Sequence, residues 1–436
     1  MAALLGKPDA RDLISLLADN CLLTPTEIDV TGQPRYRLHD LLRDYARERL
    51  ADEGPDDRTA ALKRALSGWL ELADLASRAL PIDPYYPPPT RLPRRAVVPE
   101  QVATSLVTDP MAWFNAERDN LITMTERACS VGWTGLALQL ISYQCSFQFF
   151  QGRFDDNERV LHAVIDAANR NGDHRVLADA RLRLAGLTAH RGHHAEAMAA
   201  FDDTIAAIES TSDQQALVRG LYWQAYCAAK QGLLETAQDV ARRALDLSRQ
   251  LGDRHTELMA LRILGSTIAR SGSPGTGAVL CEESLTLARE TGESYYEQLA
   301  LHTLALVRST EGRHDLTLGL CQQGIELSRR MRLATSEAYF LSLLGSAHSG
   351  LGQHERAIVA LTEALRIFEG QGERRAQARC LMALALPHRS LGQTSRAITH
   401  LQECIPIFRE LLLPRYEEQA LDLLHTLVPN GVRPTE

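Results

Sequence analysis

Leu344-Gly345 and, seven residues further on, Gly352-Gln353-His354-Glu355-Arg356-Ala357 form one copy of a pattern that recurs along most of the chain. Its turn glycine belongs to a series at positions 192, 232, 272, 312, 352 and 392, with a spacing of 40 residues. A fixed period of this length is typical of stacked supersecondary units, because each unit covers the apolar face of its neighbour. The sequence therefore predicts a repeat array, an architecture whose surface usually binds another molecule.

Each block of 40 residues contains two apolar helical patterns separated by the glycine turn. A second glycine halfway between the turns, as at Gly252 and Gly292, is suited to a helix C-cap with positive φ. Small residues recur before and after the turn, where they allow two antiparallel helices to approach closely. They are Ala185, Ala225, Gly265, Ala305, Gly345 and Ala385 before it, and Ala197, Ala237, Gly277, Thr317, Ala357 and Ala397 after it.

This spacing resembles the tetratricopeptide repeat in its longer, 40-residue form. The resemblance covers residues 133–412 and implies an all-α solenoid of about seven helix pairs with a concave binding face. Residues 413–436 are expected to form a capping helix, Tyr416 to Val428, and a tail, because the last unit of an array needs a cover for its apolar face.

The composition is that of a folded protein and sets limits on its partners. The chain has 436 residues, a net charge of -8 and only three lysines, so nucleic-acid binding through bulk charge is not favoured. No apolar run approaches the ~20 residues of a membrane helix, and no signal peptide is evident. The eight cysteines form no CxxC pair, which indicates buried free thiols in a cytoplasmic protein.

Residues 1–52 differ from the repeats. A helix around Leu13-Ile14, a hairpin with a turn at Gly32-Gln33-Pro34 and a helix opened by His39 together predict a partial winged-helix unit. Residues 53–132 are predicted to be a helical connector that contains a proline-rich linker at 81–99.

Two motifs make this part more specific. The run from Arg35-Tyr36-Arg37-Leu38-His39-Asp40 to Tyr45-Ala46 resembles the end of the NB-ARC module of signal-transduction ATPases of the STAND class. It is most similar to transcriptional regulators of the antibiotic-regulatory-protein type. Trp113-Phe114-Asn115-Ala116-Glu117-Arg118-Asp119-Asn120-Leu121 resembles the segment that precedes the repeats in the same family. The chain is therefore expected to correspond to the carboxyl half of such a regulator.

The resemblance has one gap, since the sequence contains no GxxxxGK[ST] loop. His39 matches the family's histidine that contacts the ADP phosphate, but without that loop we expect it to cap a helix and to have no nucleotide to contact. No cofactor, metal site or catalytic group is predicted, and we expect the chain not to be an enzyme.

The first helix of each repeat lines the concave face in this family, which implies a set of partner-binding positions. They are Arg183, Arg219, Tyr222, Trp223, Tyr226, Lys230, Arg262, Arg270, His302, Tyr339, Arg379 and Arg389. Such a basic, aromatic surface favours an acidic or phosphorylated peptide. The alternative is that the long arginine side chains only solvate the face.

The predicted function is therefore that of a noncatalytic binding or sensing module in transcription control. Its expected partner is a protein or peptide, with an NB-ARC ATPase or a DNA-binding subunit as candidates. Two alternatives stay open: DNA binding through the winged helix, and a small-molecule pocket around Trp223. The near-cancelling charges of Asp40, Arg43, Asp44 and Arg47 argue against the first of these.

Overall fold

The computed structural model describes residues 2–6, 10–52, 54–80, 97–210 and 213–428. It divides into two compact units, Met1–Trp223 and Gln224–Glu436, which are called here the first and the second unit. Most of the predicted proline-rich linker, the predicted tail after residue 428 and the turn position at residue 212 lie outside the described residues. The domain boundaries expected from the sequence remain a prediction.

A small hairpin flanked by helices opens the first unit. In chain order the elements are α1 (Ala2–Leu5), α2 (Arg11–Asp19), β1 (Leu23–Ile28), β2 (Pro34–Leu38) and α3 (Asp40–Asp52). The strands are antiparallel, with Leu23 opposite Leu38. The Asp29 carboxylate accepts hydrogen bonds from the backbone N–H groups of Thr31 (2.8 Å) and Gln33 (3.0 Å), which closes the turn. The predicted order of helix, hairpin and helix is confirmed.

In the described residues between α3 and the repeats there are three helices: α4 (Pro55–Arg78), α5 (Glu100–Leu106) and α6 (Pro110–Ser130). The α6 segment begins after Asp109, whose side chain accepts from the Ala112 N–H at 3.0 Å, as an N-cap does. Trp113 and Phe114 of α6 are buried in the core of the first unit. This packing explains why the motif around Trp113 is so aromatic.

Seven helix pairs and a final helix follow, as predicted. The pairs are α7 (Thr134–Phe150) with α8 (Phe154–Asn171), α9 (His174–His190) with α10 (His194–Glu209), α11 (Gln214–Gln231) with α12 (Leu234–Leu251), α13 (Arg254–Arg270) with α14 (Pro274–Thr291), α15 (Ser294–Thr310) with α16 (His314–Arg330), α17 (Ala334–Gly350) with α18 (His354–Gln371), and α19 (Arg374–Ser390) with α20 (Thr394–Glu410). The last helix is α21 (Pro414–Leu427). The all-α tetratricopeptide solenoid expected from the sequence is confirmed.

Left-handed backbone at fixed positions separates these helices. Gly352 has φ +73° between the helices of one pair, and Gly372 has φ +70° between successive pairs. Glycine adopts this conformation without the steric penalty that a Cβ atom adds. Arg332 and Leu412 occupy the corresponding positions with φ +56° and +52°. The backbone path is therefore kept even where the sequence supplies no glycine.

Arg332 gives a direct test of this backbone requirement. Replacing Arg332 by glycine is expected to raise the free energy of unfolding by about 1 kcal/mol. A left-handed conformation costs a residue with a side chain ~1–2 kcal/mol, and glycine removes that cost. Part of this stabilisation is lost because glycine also increases the entropy of the unfolded chain. Urea denaturation measures the change. The control Glu326→Gly, at an exposed position within α16, should lower stability by about 1 kcal/mol. A loss of stability in both variants would contradict the conclusion that Arg332 is held in an unfavourable left-handed conformation.

The helices pack through apolar cores in which cysteine serves as a small apolar residue. All eight cysteines are free, and every one except Cys21 is buried. Burial raises the pKa of the Cys227 and Cys321 thiols to about 12, so both are uncharged at neutral pH. Within the described ranges, no helix is long and apolar enough to cross a membrane.

Candidate functional site

The first helices of the pairs in the second unit carry a group of cations at repeating positions. Lys230 and Arg270 are 40 residues apart and lie at the ends of α11 and α13. Arg262 and His302 share a second repeat position, and Tyr339 and Arg379 share a third. Because equivalent positions of stacked repeats face the same side, these residues form one surface. We call Lys230, Arg262, Arg270, Arg375 and Arg379 the basic face.

The ammonium of Lys230 lies in a recess of this face. Its side chain is exposed to solvent, yet the surrounding protein removes enough water to lower its pKa. The positive charge of Arg262 lowers the pKa further, and those of Arg375, Arg270 and Arg379 act in the same direction, so that the pKa of Lys230 falls to about 8.

The charges that lower the pKa of Lys230 come from several helix pairs. Lys230 is on α11, Arg262 and Arg270 are on α13, and Arg375 and Arg379 are on α19. The repeat therefore places the contributing cations on the first helices of successive pairs.

His302 forms part of the wall beneath these cations. Its imidazole is half-buried and meets the rings of Tyr339 and Phe340 edge-on, at centroid distances of 5.9 and 5.5 Å. Burial, and then the nearby charges led by Arg262, lower the pKa of His302 to about 4. His302 is therefore neutral at neutral pH and contributes an uncharged polar ring to the recess.

Aromatic rings hold two of the cations in place. The ammonium of Lys230 lies 5.2 Å from the ring centroid of Tyr226, and the guanidinium of Arg379 lies 5.7 Å from that of Tyr416 on α21. Both distances are within the range of a cation–π interaction. Arg270 also donates from Nη1 to the backbone carbonyl of Ala229 at 2.8 Å. These contacts orient the cations and leave their charges uncompensated.

No cation of the basic face forms an ion pair with a carboxylate in the part of the second unit that the structure describes. Elsewhere in this unit arginines commonly have such a partner, for example Arg289 with Glu297 at 2.8 Å and Arg409 with Glu417 at 2.8 Å. Clustered like charges repel one another and destabilise the folded state. A surface that keeps such cations unpaired is suited to an anionic ligand.

Four predicted positions lie in the first unit, and there the structure corrects the expectation. Arg183 is buried, and its Nε lies 3.4 Å from Asp179, which also pairs with Arg219 at 2.9 Å. Burial by itself would raise the pKa of Asp179, but the two arginines outweigh it and the pKa lies below its usual value. These cations therefore have a carboxylate partner and add little to a basic surface.

Tyr222 and Trp223 are also buried and do not line an open groove. Trp223 is 1% exposed and stacks on Phe201 with a centroid distance of 5.8 Å. His190 meets its ring edge-on at 5.3 Å. A large apolar ring on a first helix gains more from packing against the second helix than from exposure, so these positions belong to the core.

The sequence analysis did not predict two residues that belong to this surface or contact it. Arg375 lies four residues before Arg379 on α19, and that spacing places both on one helix face. Tyr416 comes from the last helix and could not be assigned to this face by the repeat. Arg389, which was predicted, is exposed at the end of α19 and forms no ion pair with the described residues.

The hairpin region exposes several apolar side chains among charged ones. Ile28 and Val30 are 74% and 76% exposed, and Leu41 and Tyr45 of α3 are 74% and 60% exposed. His39 is exposed and accepts from the backbone N–H of Leu41 at its Nδ1, 3.3 Å away, which is a capping contact at the start of α3. Leu41 and Tyr45 are four residues apart on α3 and so lie on one face of that helix.

An ion pair holds this hairpin against α6. Arg35 of β2 lies 2.7 Å from Glu117, and Glu117 is only 10% exposed. The same two residues belong to the two sequence motifs that suggested the NB-ARC resemblance. Arg118, the next residue, binds Asp156 of α8 through two hydrogen bonds of 2.6 Å. The motif around Trp113 therefore connects the hairpin to the first repeat.

The arginines of α3 are already paired with acids. Arg43 lies 3.1 Å from Asp40, and Arg47 lies 2.9 Å from Asp44. A helix that reads DNA needs cations free for phosphate contacts. Among the described residues, no group of three or more His, Cys, Asp or Glu side chains is placed to hold a metal ion.

Comparison with known families agrees with the repeat architecture. A tetratricopeptide repeat model matches residues 335–410, and a model of anaphase-promoting complex subunit 5 matches residues 141–231. Neither describes a catalytic family. No curated protein matches the chain.

Several solved structures are similar in fold. A signal transduction ATPase with numerous domains (STAND) from Pyrococcus horikoshii, which has a tetratricopeptide repeat sensor, aligns with a TM-score of 0.66 at 14% identity. The alignment covers 98% of this chain and 56% of that one, so this chain spans little more than half of the STAND protein's length. A Rap protein complexed with competence and sporulation factor has a TM-score of 0.47 at 10% identity, covering 72% of this chain and 97% of that one. The Cut9–Hcn1 hetero-tetramer of the anaphase-promoting complex has a TM-score of 0.46 at 17% identity, and the alignment covers 72% of this chain and 60% of that one. The similarity to the STAND protein shows the fold of this chain. The other two structures have TM-scores below 0.5 and add nothing to that conclusion.

Proposed function

We propose that this chain is the noncatalytic sensor part of a STAND-type regulator of transcription and that its basic face binds an acidic or phosphorylated protein segment. The unpaired cations of that face are the observation that carries the proposal. Guanidinium groups recognise carboxylates and phosphates through paired hydrogen bonds, and a curved face can bring several of them to one ligand. The partner-binding residues in this proposal are Tyr226, Lys230, Arg262, Arg270, His302, Tyr339, Arg375, Arg379 and Arg389.

The place in a STAND-type regulator rests on the two motifs and on the fold likeness. The likeness extends over 98% of this chain, so it includes the hairpin region as well as the repeats. We infer that the apolar surface around Leu41 and Tyr45 contacts a P-loop ATPase module of the NB-ARC type. Burial of these side chains would be favourable by ~25 cal/mol for each Å² of apolar area removed from water. A cytoplasmic location is part of the same proposal.

Charge reversal tests the binding face. Fluorescence anisotropy with a fluorescein-labelled octaglutamate peptide is expected to show binding that weakens as salt is added, because exposed charges are screened. The double variant Arg262→Glu, Arg379→Glu should lose affinity by about 30-fold or more, since two attractive contacts become repulsive.

A matched control carries the same change in net charge away from this face. Arg366 and Arg409 are both exposed on second helices, where each has an acidic partner. The double variant Arg366→Glu, Arg409→Glu should keep its affinity within about three-fold, which is under 1 kcal/mol. Equal losses in the two doubles, or no binding by the unmodified chain, would refute the assignment of the face.

A further inference from the structure

The hairpin region, residues 10–52, has little apolar core of its own. Among the described side chains of this region, only Ala10 and Leu23 are buried, whereas the neighbouring α6 buries Trp113 and Phe114. A two-stranded hairpin by itself is at best marginally stable in water, because it removes too little apolar surface from solvent. The polar contacts that tie this region to the rest of the first unit therefore carry much of its stability.

One guanidinium joins the hairpin turn to α6. The Nε of Arg35 donates to the Asp29 carboxylate at 2.7 Å, and its Nη2 donates to the Glu117 carboxylate of α6 at 2.7 Å. Burial alone would raise the pKa of Asp29, but the hydrogen bonds that it accepts, first of all from Thr31, outweigh burial and lower this pKa to about 2. Arg35 is therefore held by two carboxylates at once, one within the turn and one on α6.

The acceptor on α6 is itself fixed in place. The side chain of Glu117 is only 10% exposed, and its Oε2 accepts from the Nδ2 of Asn120 at 2.7 Å. The next residue, Arg118, makes its two hydrogen bonds with Asp156 of α8. The helix α6 thus offers the hairpin a carboxylate that the core and the first repeat already hold in position.

We propose that the hairpin region docks on α6 and leaves it as one unit, and that the ion pair between Arg35 and Glu117 is the latch of this movement. The repeats stay folded when the latch opens. Opening sacrifices polar contacts and little apolar area, so it costs less free energy than global unfolding. This inference concerns a different part of the chain from the basic face and does not depend on the ligand of that face.

The latch dominates the docking because its charges are shielded from water. When one partner of a buried ion pair is removed, the other charge is left without compensation, which is strongly destabilising. Loss of Arg35 would leave the carboxylates of Asp29 and Glu117 without their shared cation. The pair of Arg47 and Asp44 on α3 contrasts with this, since both side chains are more than 60% exposed. Water screens such a pair, and it contributes little.

Hydrogen exchange of the full chain measures the opening. When the hairpin leaves α6 its strands lose their support, so the exchange rate of the β1 and β2 amides reports the fraction of molecules that are open. Glu117→Gln keeps the size of the side chain and removes its charge. It should raise the exchange rate of peptides spanning residues 23–38 by about ten-fold or more, while α9 and α10 keep their rates.

Asp44→Asn is the matched control, because it makes the same chemical change at an exposed ion pair of the same region. It should alter the exchange of residues 23–38 by less than about two-fold. Equal effects of the two variants would overturn the proposal. Equal acceleration in the repeats, or strands that are unprotected in the unmodified chain, would overturn it as well.

A double-mutant cycle separates the latch from a general loss of stability. Arg35→Gln should accelerate exchange more than Glu117→Gln, because it leaves two carboxylates unpaired. The double variant leaves no unpaired charge at either of the two positions, so its rate should be at least about five-fold below the product of the two single effects. A rate equal to that product would show that the two side chains act independently and would reject this ion pair as the latch.

Discussion

Replacing Trp223 by alanine is expected to lower the free energy of unfolding by about 3–5 kcal/mol, the range for truncating a fully buried large aromatic ring. The side chain is 1% exposed and lies between Phe201 and His190, so its removal leaves a cavity that neighbouring helices fill only in part. Urea denaturation followed by far-UV circular dichroism measures the loss. All four tryptophans lie in the first unit, so the remaining three also report this change by fluorescence.

The same variant separates a core role from a binding role. Tyr226, almost one turn further along α11, is half-buried and carries Lys230 over its ring at 5.2 Å. Tyr226→Ala should cost only about 1 kcal/mol, the worth of an exposed cation–π pair together with partial burial. A loss under 1 kcal/mol for Trp223→Ala, with weakened binding of the acidic peptide, would return Trp223 to the binding surface.

Replacing Gly277 by alanine is expected to destabilise the second unit by about 3 kcal/mol, at the upper end of the cost of overpacking. The helices α13 and α14 approach so closely here that a Cβ atom on Gly277 would overlap the carbonyl oxygen of Gly265 and lie 2.9 Å from the backbone nitrogen of Ala269. Backbone atoms cannot rotate away as a flexible side chain can. The unfolding transition followed by circular dichroism should therefore move to lower urea.

Gly319 supplies the matched control for this substitution. It lies within α16, and a Cβ atom there would meet no heavy atom within 4 Å in the described part of the chain. Gly319→Ala should raise stability by up to about 1 kcal/mol, the difference in helix propensity between the two residues. A neutral or stabilising effect of Gly277→Ala would show that α13 and α14 can separate at little cost, contrary to the close packing.

The repeat architecture could be predicted because its cause is local. A glycine turn and a helix of apolar periodicity depend on neighbouring residues, so Gly352, Gly372 and their equivalents marked the helix ends directly. Arg332 shows the limit of that reasoning, since a non-glycine residue adopts the same left-handed backbone with φ +56°. Small residues on both sides of the turn likewise predicted close pairing, and the contact between Gly265 and Gly277 agrees with it.

The binding face was predicted only in part, because repeat position does not distinguish exposure from burial. Arg183 and Trp223 occupy equivalent first-helix positions, yet Arg183 pairs with Asp179 and Trp223 fills the core. Arg375 was missed although it lies one turn from Arg379. Whether a cation on a first helix stays unpaired depends on carboxylates contributed by neighbouring helices, and a one-dimensional period carries no such information.

From its sequence alone, this protein is an array of helix pairs with turns at fixed positions, because turn chemistry and helical periodicity act over only a few residues. The tertiary structure decided which cations share one recess. Lys230 and Arg379 are 149 residues apart in sequence, and only the folded chain lets the charge of one lower the pKa of the other. Electrostatic energy depends on distance through space, so the site exists only once the array has folded.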